Sequence, residues 1–189
     1  MQARGLAGGQ AVEVGVSTGA FSKTLLSAGV LGHLYAVDAW GWGGVEGGGG
    51  GDDKGRDVKE YWEVLRLLEP LSCNVTVVRL TSREALQGFA DASLDFVYLD
   101  GYVHMGLEGH FGGFLRDWAR KLRPGGILAG HRYSRSRYPL LFHNVNVFAN
   151  TLHVPLYSTD ACDDPQAYTS WLLEVPLGIP HEEYWPELT

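Results

Sequence analysis

The stretch Ala11-Val12-Glu13-Val14-Gly15-Val16-Ser17-Thr18-Gly19 constrains this chain more than any other. An apolar run carrying one acid breaks into a short Gly/Ser/Thr turn, and an amphipathic segment from Ala20 to Ala28 follows. That order predicts strand, tight loop and helix, the opening unit of a doubly wound α/β sheet. Glycine lets a backbone approach a ligand where a Cβ would block it. The helix start leaves N–H groups aimed into the same space. In open parallel sheets ligands bind beyond the carboxyl ends of the strands, where the strand order reverses. The first loop is therefore expected to hold a cofactor.

Spacing narrows the choice. A dinucleotide fingerprint requires G-x-G-x-x-G, but Gly15 is followed by Val16 and Ser17, and the next glycine is Gly19. A phosphate-binding Walker loop requires glycine directly before its lysine and another five positions before that glycine. Lys23-Thr24 has Ser22 and Ser17 at those places. What remains is E-x-G-x-x-x-G, over Glu13, Gly15 and Gly19, which resembles motif I of class I S-adenosylmethionine-dependent methyltransferases. On that resemblance Glu13, Gly15, Ser17 and Gly19 are cofactor-binding candidates. The structural alternative is a plain strand-to-helix turn.

At 189 residues the chain is the size of one α/β domain, and 45% hydrophobic content is enough for a core. A formal net charge of −7 argues against a nucleic-acid footprint. No run is long and apolar enough to span a membrane, and no signal-peptide pattern opens the chain. Two distant cysteines, Cys73 and Cys162, favour free thiols and a cytoplasmic location. Residues 41–56 are glycine-rich, with five consecutive glycines from Gly47 to Gly51, and are expected to form a flexible surface loop. Residues 176–189 read as a C-terminal tail.

His33 to Asp38 reads as a second strand ending in a carboxylate, placed to accept hydrogen bonds from ribose hydroxyls. The alternative for Asp38 is a cap. Trp40 either covers an adenosine with its ring or is ordinary core or interface. Asp57 to Leu68 has helical spacing, stopped by Pro70. Asn74 to Leu80 is a third strand, Thr81-Ser82 caps the helix that follows, and Ser82 with Glu84-Ala85-Leu86 reads as its start. Leu94 to Leu99 is a fourth strand running into Asp100-Gly101. Leu115, Trp118, Ala119 and Leu122 form a helix face that Arg123-Pro124-Gly125-Gly126 should end. Ile127 to His131 is a fifth strand with a histidine at its edge.

The wording of "SLDFVYLDG" and "FLRDWARKLRPGGILAGHRY" is similar to class I methyltransferases, and closest to the methyltransferase 24 family. The helix tip Lys121 to Gly126 and the Ala129-Gly130-His131 that follows carry most of the likeness, which extends over roughly residues 11–135. A weaker echo continues in Asn146 to Asn150 as part of a helix, Val154 to Tyr157, and Ser170 to Leu173 as a late strand. The resemblance implies a single Rossmann-like domain, 1–189. Its mostly parallel sheet has the order 3-2-1-4-5 plus two late strands, the last antiparallel. It implies S-adenosyl-L-methionine as cofactor, and an adenine contact at Ser82 unless that residue is only a cap.

In-line methyl transfer asks the protein to align donor and acceptor and to take a proton from a hydroxyl or amine acceptor. His131 and His104 are the histidines on loops at the expected edge, and Asp100 orients the acceptor, touches the cofactor or closes the turn. His131 is otherwise a structural histidine and His104 a loop histidine. Two departures from the family stand out. Arg132 follows His131 where relatives carry Asp, which puts a divalent metal in doubt because hard cations take oxygen ligands. His104 is displaced from the family's position after the fourth strand. Arg132, Arg135 and Arg137 either receive an anionic substrate or form a solvated loop. Asp160, Asp163 and Asp164, and His181-Glu182-Glu183, read as solvated. The expected activity is methylation of a small molecule, at oxygen, without nucleic acid or membrane as partner; a homodimer is compatible with it. The alternative is a degenerate domain that binds the cofactor or a partner protein without turnover.

Overall fold

The first strand, β1 (Gly9–Val14), is buried from Ala11 onward. A parallel strand covered on both faces needs an apolar run rather than alternation, and this run supplies it with Glu13 as the exception. The computed structural model describes residues 7–41, 54–100, 111–159 and 169–176, with backbone alone at 54–57 and 111. The strands order as β3-β2-β1-β4-β5-β7-β6. The expected order 3-2-1-4-5, with late strands beyond it, is therefore present. Two compact units divide the chain, 1–89 with 100–107 and 90–99 with 108–189.

In the first unit, β1 leads into α1 (Ala20–Ser27) and then β2 (Leu31–Asp38), which runs parallel to β1 with Val14 opposite Val37. Helix α2 (Lys54–Leu68) begins three residues before the Asp57 start read from the sequence. It does not simply stop at Pro70. The chain tightens into a 3-10 helix, Glu69–Asn74, with Pro70 in its first turn, where a missing N–H is harmless. β3 (Val75–Arg79) pairs parallel to β2. The short α3 (Ser82–Leu86) resolves the Thr81-Ser82 capping pair. Thr81, not Ser82, is the N-cap: its hydroxyl accepts from Glu84 N at 3.3 Å and its own N–H donates to Glu84 Oε2 at 2.9 Å. This reciprocal pair spans positions three apart, which Ser82 and Glu84 are not. The bonds to Thr81 also hold the Glu84 carboxyl below its ordinary pKa.

In the second unit, β4 (Leu94–Leu99), α4 (Phe111–Ala119) and β5 (Leu122–Gly130) form a parallel crossover. Here Arg123-Pro124-Gly125-Gly126 does not end the helix, as its composition suggested. It lies inside β5 as a bulge. Leu94 pairs with Leu122 and Phe96 with Ile127, so two steps on β4 face five on β5. Gly125 supplies the left-handed turn at φ 80. The bulge is pinned from the other side: Gly125 N donates to Val175 O and Val175 N to Gly126 O, both at 2.8 Å. Arg123 Nε also donates to Asp95 Oδ1.

Helix α5 (Pro139–Thr151) starts well before the Asn146 segment and has proline in its first turn, where that residue is favoured. β6 is Tyr157–Ser158, shorter and later than the Val154–Tyr157 reading, and β7 is Trp171–Glu174. β7 runs antiparallel to β5 and to β6, as expected for the last strand. Among the described residues no helix is long and apolar enough to cross a membrane.

The β5–β7 contact is close because Gly130 lies opposite Trp171. A Cβ at Gly130 would sit 2.7 Å from the Trp171 ring, which is buried and rigid. Gly130→Ala should lower stability by about 1–3 kcal/mol, the usual cost of overpacking a tight core site. Thermal melting checks this, and an unchanged midpoint would show that the ring can yield.

Candidate functional site

The first unit builds a loop in which alternate residues take left-handed backbone: Gly15 at φ 93, Ser17 at φ 47 and Gly19 at φ 76. Such alternation turns successive N–H groups toward one side. Gly19 is the N-cap of α1 and provides no side-chain cap. Its positive φ favours glycine, and a Cβ there would press on α2, 3.2 Å from Val64 Cγ2 and 3.3 Å from Leu67 Cδ2.

Asp38 closes this loop from the end of β2. Its Oδ2 accepts from Ser17 N and its Oδ1 from Trp40 N, each at 2.9 Å. Each carboxylate oxygen has a second lone pair for a further donor. Trp40 Nε1 donates to Ser17 O at 3.0 Å. The Trp40 ring is buried and packs 5.2 Å from that of Tyr61, and Arg79 lies over Tyr61 while donating to Trp40 O at 2.9 Å. The Trp40 ring is thus packed among Tyr61, Arg79 and the first loop. Ser17 Oγ donates to Glu60 Oε2 at 3.4 Å, a contact across 43 positions that no local pattern announces.

Glu13 lies beneath the loop with 1% of its surface exposed, and Ser22 Oγ in α1 donates to its Oε2. Burial pushes the carboxyl up to about 8, opposed by the Ser22 bond and reinforced by the negative charges of Asp100 and Asp38. Asp100 follows β4 and donates its N–H to Val14 O at 2.8 Å. Three acids from the ends of β1, β2 and β4 therefore share one electrostatic neighbourhood. Ser82 is buried in the first turn of α3, beside the Thr81 cap.

In the second unit, His131 follows β5 and donates its backbone N–H to Leu99 O at 3.2 Å. Its Nδ1 is hydrogen-bonded to Ser170 Oγ at 3.2 Å, and Ser170 Oγ lies 3.3 Å from Tyr98 Oη. Sequence reading missed Ser170 and Tyr98, as it missed Ser22 and Glu60. Arg132 adopts φ 62 and sits 5.8 Å over the Tyr138 ring, while Arg135 and Arg137 are exposed. Tyr133 is fixed by Thr169, by Asn146 Nδ2 at 2.9 Å, and by stacking on Phe142. His104, the residues around Cys162, His181-Glu182-Glu183, and most of the glycine-rich loop and C-terminal tail lie outside the described residues. Among the described residues no group of three His, Cys, Asp or Glu is placed to hold a metal.

Comparison with known proteins gives the following. A family model described as a methyltransferase domain, Methyltransf_24, matches residues 12–133. No curated protein matches the sequence. The fold is similar to a candidate methyltransferase from Streptococcus mutans in complex with SAH, with TM-score 0.60 and 12% identity over 88% of this chain and 88% of that one. It is similar to precorrin-6y C5,15-methyltransferase from Geobacter metallireducens, with TM-score 0.58 and 11% identity over 91% and 83% of the two chains. An rRNA methylase from Streptococcus thermophilus gives TM-score 0.56 and 16% identity over 89% and 87%. At these identities the likeness is one of fold.

Glu13 has a measurable consequence. A carboxyl whose pKa rises from 4.5 to about 8 on folding binds more protons in the folded state between those values. Stability from this group is therefore present below pH 4.5 and is lost as pH climbs toward 8. Glu13→Gln should gain stability relative to the parent at about pH 9 and not at about pH 5. Melting curves at both pH values test this, and a pH-independent difference would refute the ionisation penalty.

Proposed function

Because the chain belongs to the methyltransferase-domain family whose model it matches, and is accordingly an S-adenosylmethionine-dependent methyltransferase, we propose that it methylates a small-molecule acceptor at an oxygen atom, with His131 as the base. When bound, the cofactor supplies a sulfonium methyl group. The first-unit loop fits an adenosyl group. Its backbone is shaped by Gly15, Ser17 and Gly19, the start of α1 has no side-chain cap, and Asp38 retains acceptor capacity for ribose hydroxyls. Asp100 and Ser82 complete the set of residues that would hold it.

The observation that carries the acceptor reading is His131. A hydroxyl acceptor must lose its proton as the new C–O bond forms, and imidazole is the side chain whose ordinary pKa suits that transfer near neutrality. His131 follows Gly130, the partner of Leu99 in the β4–β5 register, so it stands at the carboxyl end of its strand. The Ser170 bond holds its ring by Nδ1. Proton transfer then runs from the acceptor hydroxyl to His131, which becomes imidazolium. The net charge of −7 supports a small acceptor over a polyanionic one, for which cation-rich surfaces are the rule.

The test is product analysis. Purified protein, the labelled methyl donor and a panel of hydroxylated small molecules should yield methyl ethers. Methylation confined to ribosomal or transfer RNA would overturn the small-molecule reading. Asp38→Ala should weaken S-adenosylhomocysteine binding by about 1–3 kcal/mol in calorimetric titration, through lost charged hydrogen bonds. Unchanged affinity would reduce Asp38 to a loop clamp. His131→Ala should lower kcat by about 10²–10⁴-fold while leaving affinity for the donor intact. Retained turnover would remove His131 as the base.

A further inference from the structure

We propose that the turn after β5, with Arg132, Arg135 and Arg137, binds an oxyanion of the methyl acceptor, so that the substrate is a small hydroxylated carboxylate or phosphate ester. This rests on the proposed methylation of a small molecule and deepens it by naming the charge that the acceptor carries.

Charge is unevenly spread along the chain. Asp and Glu outnumber Lys and Arg by 22 to 15, yet no acid occurs between Asp117 and Asp160. That interval holds Arg120, Lys121, Arg123, Arg132, Arg135 and Arg137. Within the second unit these cations separate to opposite ends of β5. At its amino end Arg120 Nη2 and Lys121 Nζ meet Asp91 at 3.1 and 2.7 Å, and Arg123 donates to Asp95. Acids just before and within β4 thus answer the first three cations. The other three follow closely on His131, at the carboxyl end of the strand. Like charges set so near one another repel, and an entering anion relieves that repulsion. All three are arginines, whose planar fork of N–H donors matches the paired oxygens of carboxylate and phosphate.

The segment that carries them is anchored, which a merely solvated loop does not require. Tyr133 N donates to Thr169 O at 2.9 Å, and Thr169 Oγ1 donates to Tyr133 O. The Tyr133 phenol accepts from Asn146 Nδ2 at 2.9 Å, and its ring stacks on Phe142 of α5 with centroids 4.7 Å apart. Tyr138 N closes the turn on Ser134 O at 2.9 Å. Arg132 is held at φ 62, a costly backbone state for a residue other than glycine, and such strain gathers at active sites and ligand clamps. Its guanidinium stands 5.8 Å over the Tyr138 ring, while Arg135 and Arg137 are exposed. The turn begins at the residue after His131, so one acceptor presents its hydroxyl to the imidazole and its oxyanion to the arginines. Two fixed points of this kind orient a small substrate for in-line transfer.

The test uses the full chain. Inorganic phosphate and, separately, acetate replace chloride at constant ionic strength while the Nε–H signals of nitrogen-labelled arginine are followed. Arg135 and Arg137 are assigned by their loss in Arg135→Gln and Arg137→Gln. Saturable shifts of both signals are expected, and the anion that gives them at lower concentration separates phosphate from carboxylate. Signals that move no more than they do in chloride would overturn the proposal. In kinetics each anionic acceptor of the hydroxylated panel is paired with its uncharged amide or ester. The parent should prefer the anionic member about tenfold in kcat/KM, and the double variant Arg135→Gln/Arg137→Gln should lose that preference through KM. Charged and uncharged acceptors methylated equally well, in parent and variant alike, would remove the anion site and keep the small-molecule reading. Saturable phosphate binding that the double variant loses, with no small molecule methylated, would keep the anion site and remove that reading. Methylation of RNA alone, abolished in the double variant, would make the ligand a polyanion and sink the proposal.

Discussion

The carboxylate of Asp38 is the constraint on which the first half of the molecule depends. One oxygen holds the N–H of Ser17 and the other that of Trp40. The loop after β1 and the turn after β2 are thus tied to a single planar group. Ser17 could not otherwise be expected to rest in left-handed backbone, a conformation that non-glycine residues avoid unless their surroundings impose it. Trp40 is in the same condition at φ 38, and its ring is committed to Tyr61 and to the carbonyl of Ser17. A strained loop and a buried aromatic are therefore two ends of one hydrogen-bonded clamp. Its acceptor is a charge, so these bonds are stronger than neutral ones.

Beneath that clamp lies an acid that water does not reach. Burying a carboxylate is expensive unless it is paired, and Glu13 has a serine hydroxyl for its company while two further acids press on it from neighbouring strand ends. The protein meets this by letting the group keep its proton further up the pH scale. Perturbed acids of this kind cluster at functional sites, where burial and like charges are set close together.

Much of this was legible in the chain itself. The apolar run into Gly15 and Gly19 announced β1, the loop and α1, because strand burial and turn chemistry are local properties. Asp38 was legible as a strand-end acid, though not its dual grip on Ser17 and Trp40, which depends on β1 and β2 lying side by side. Arg123 to Gly126 misled for the opposite reason. Proline and glycines usually end a helix, but here Val175, some 50 positions later, supplies the backbone partners that turn the same residues into a strand bulge. Thr81-Ser82 was legible as a capping pair, and the three-residue spacing to Glu84 is what makes Thr81 the N-cap. The place of His131 after β5 was legible from its frame, whereas its contact with Ser170, and that of Ser170 with Tyr98, was not. A serine before a late strand and a tyrosine inside an apolar one carry no mark of their meeting across 72 positions.

The bulge in β5 bears on the order in which the sheet is completed. Gly125 and Gly126 exchange backbone bonds with Val175, some 50 positions later, so the edge that β5 presents is finished by the last of the described strands. Pairing between positions so far apart in sequence is slow, because chain entropy is lost before the contacts repay it.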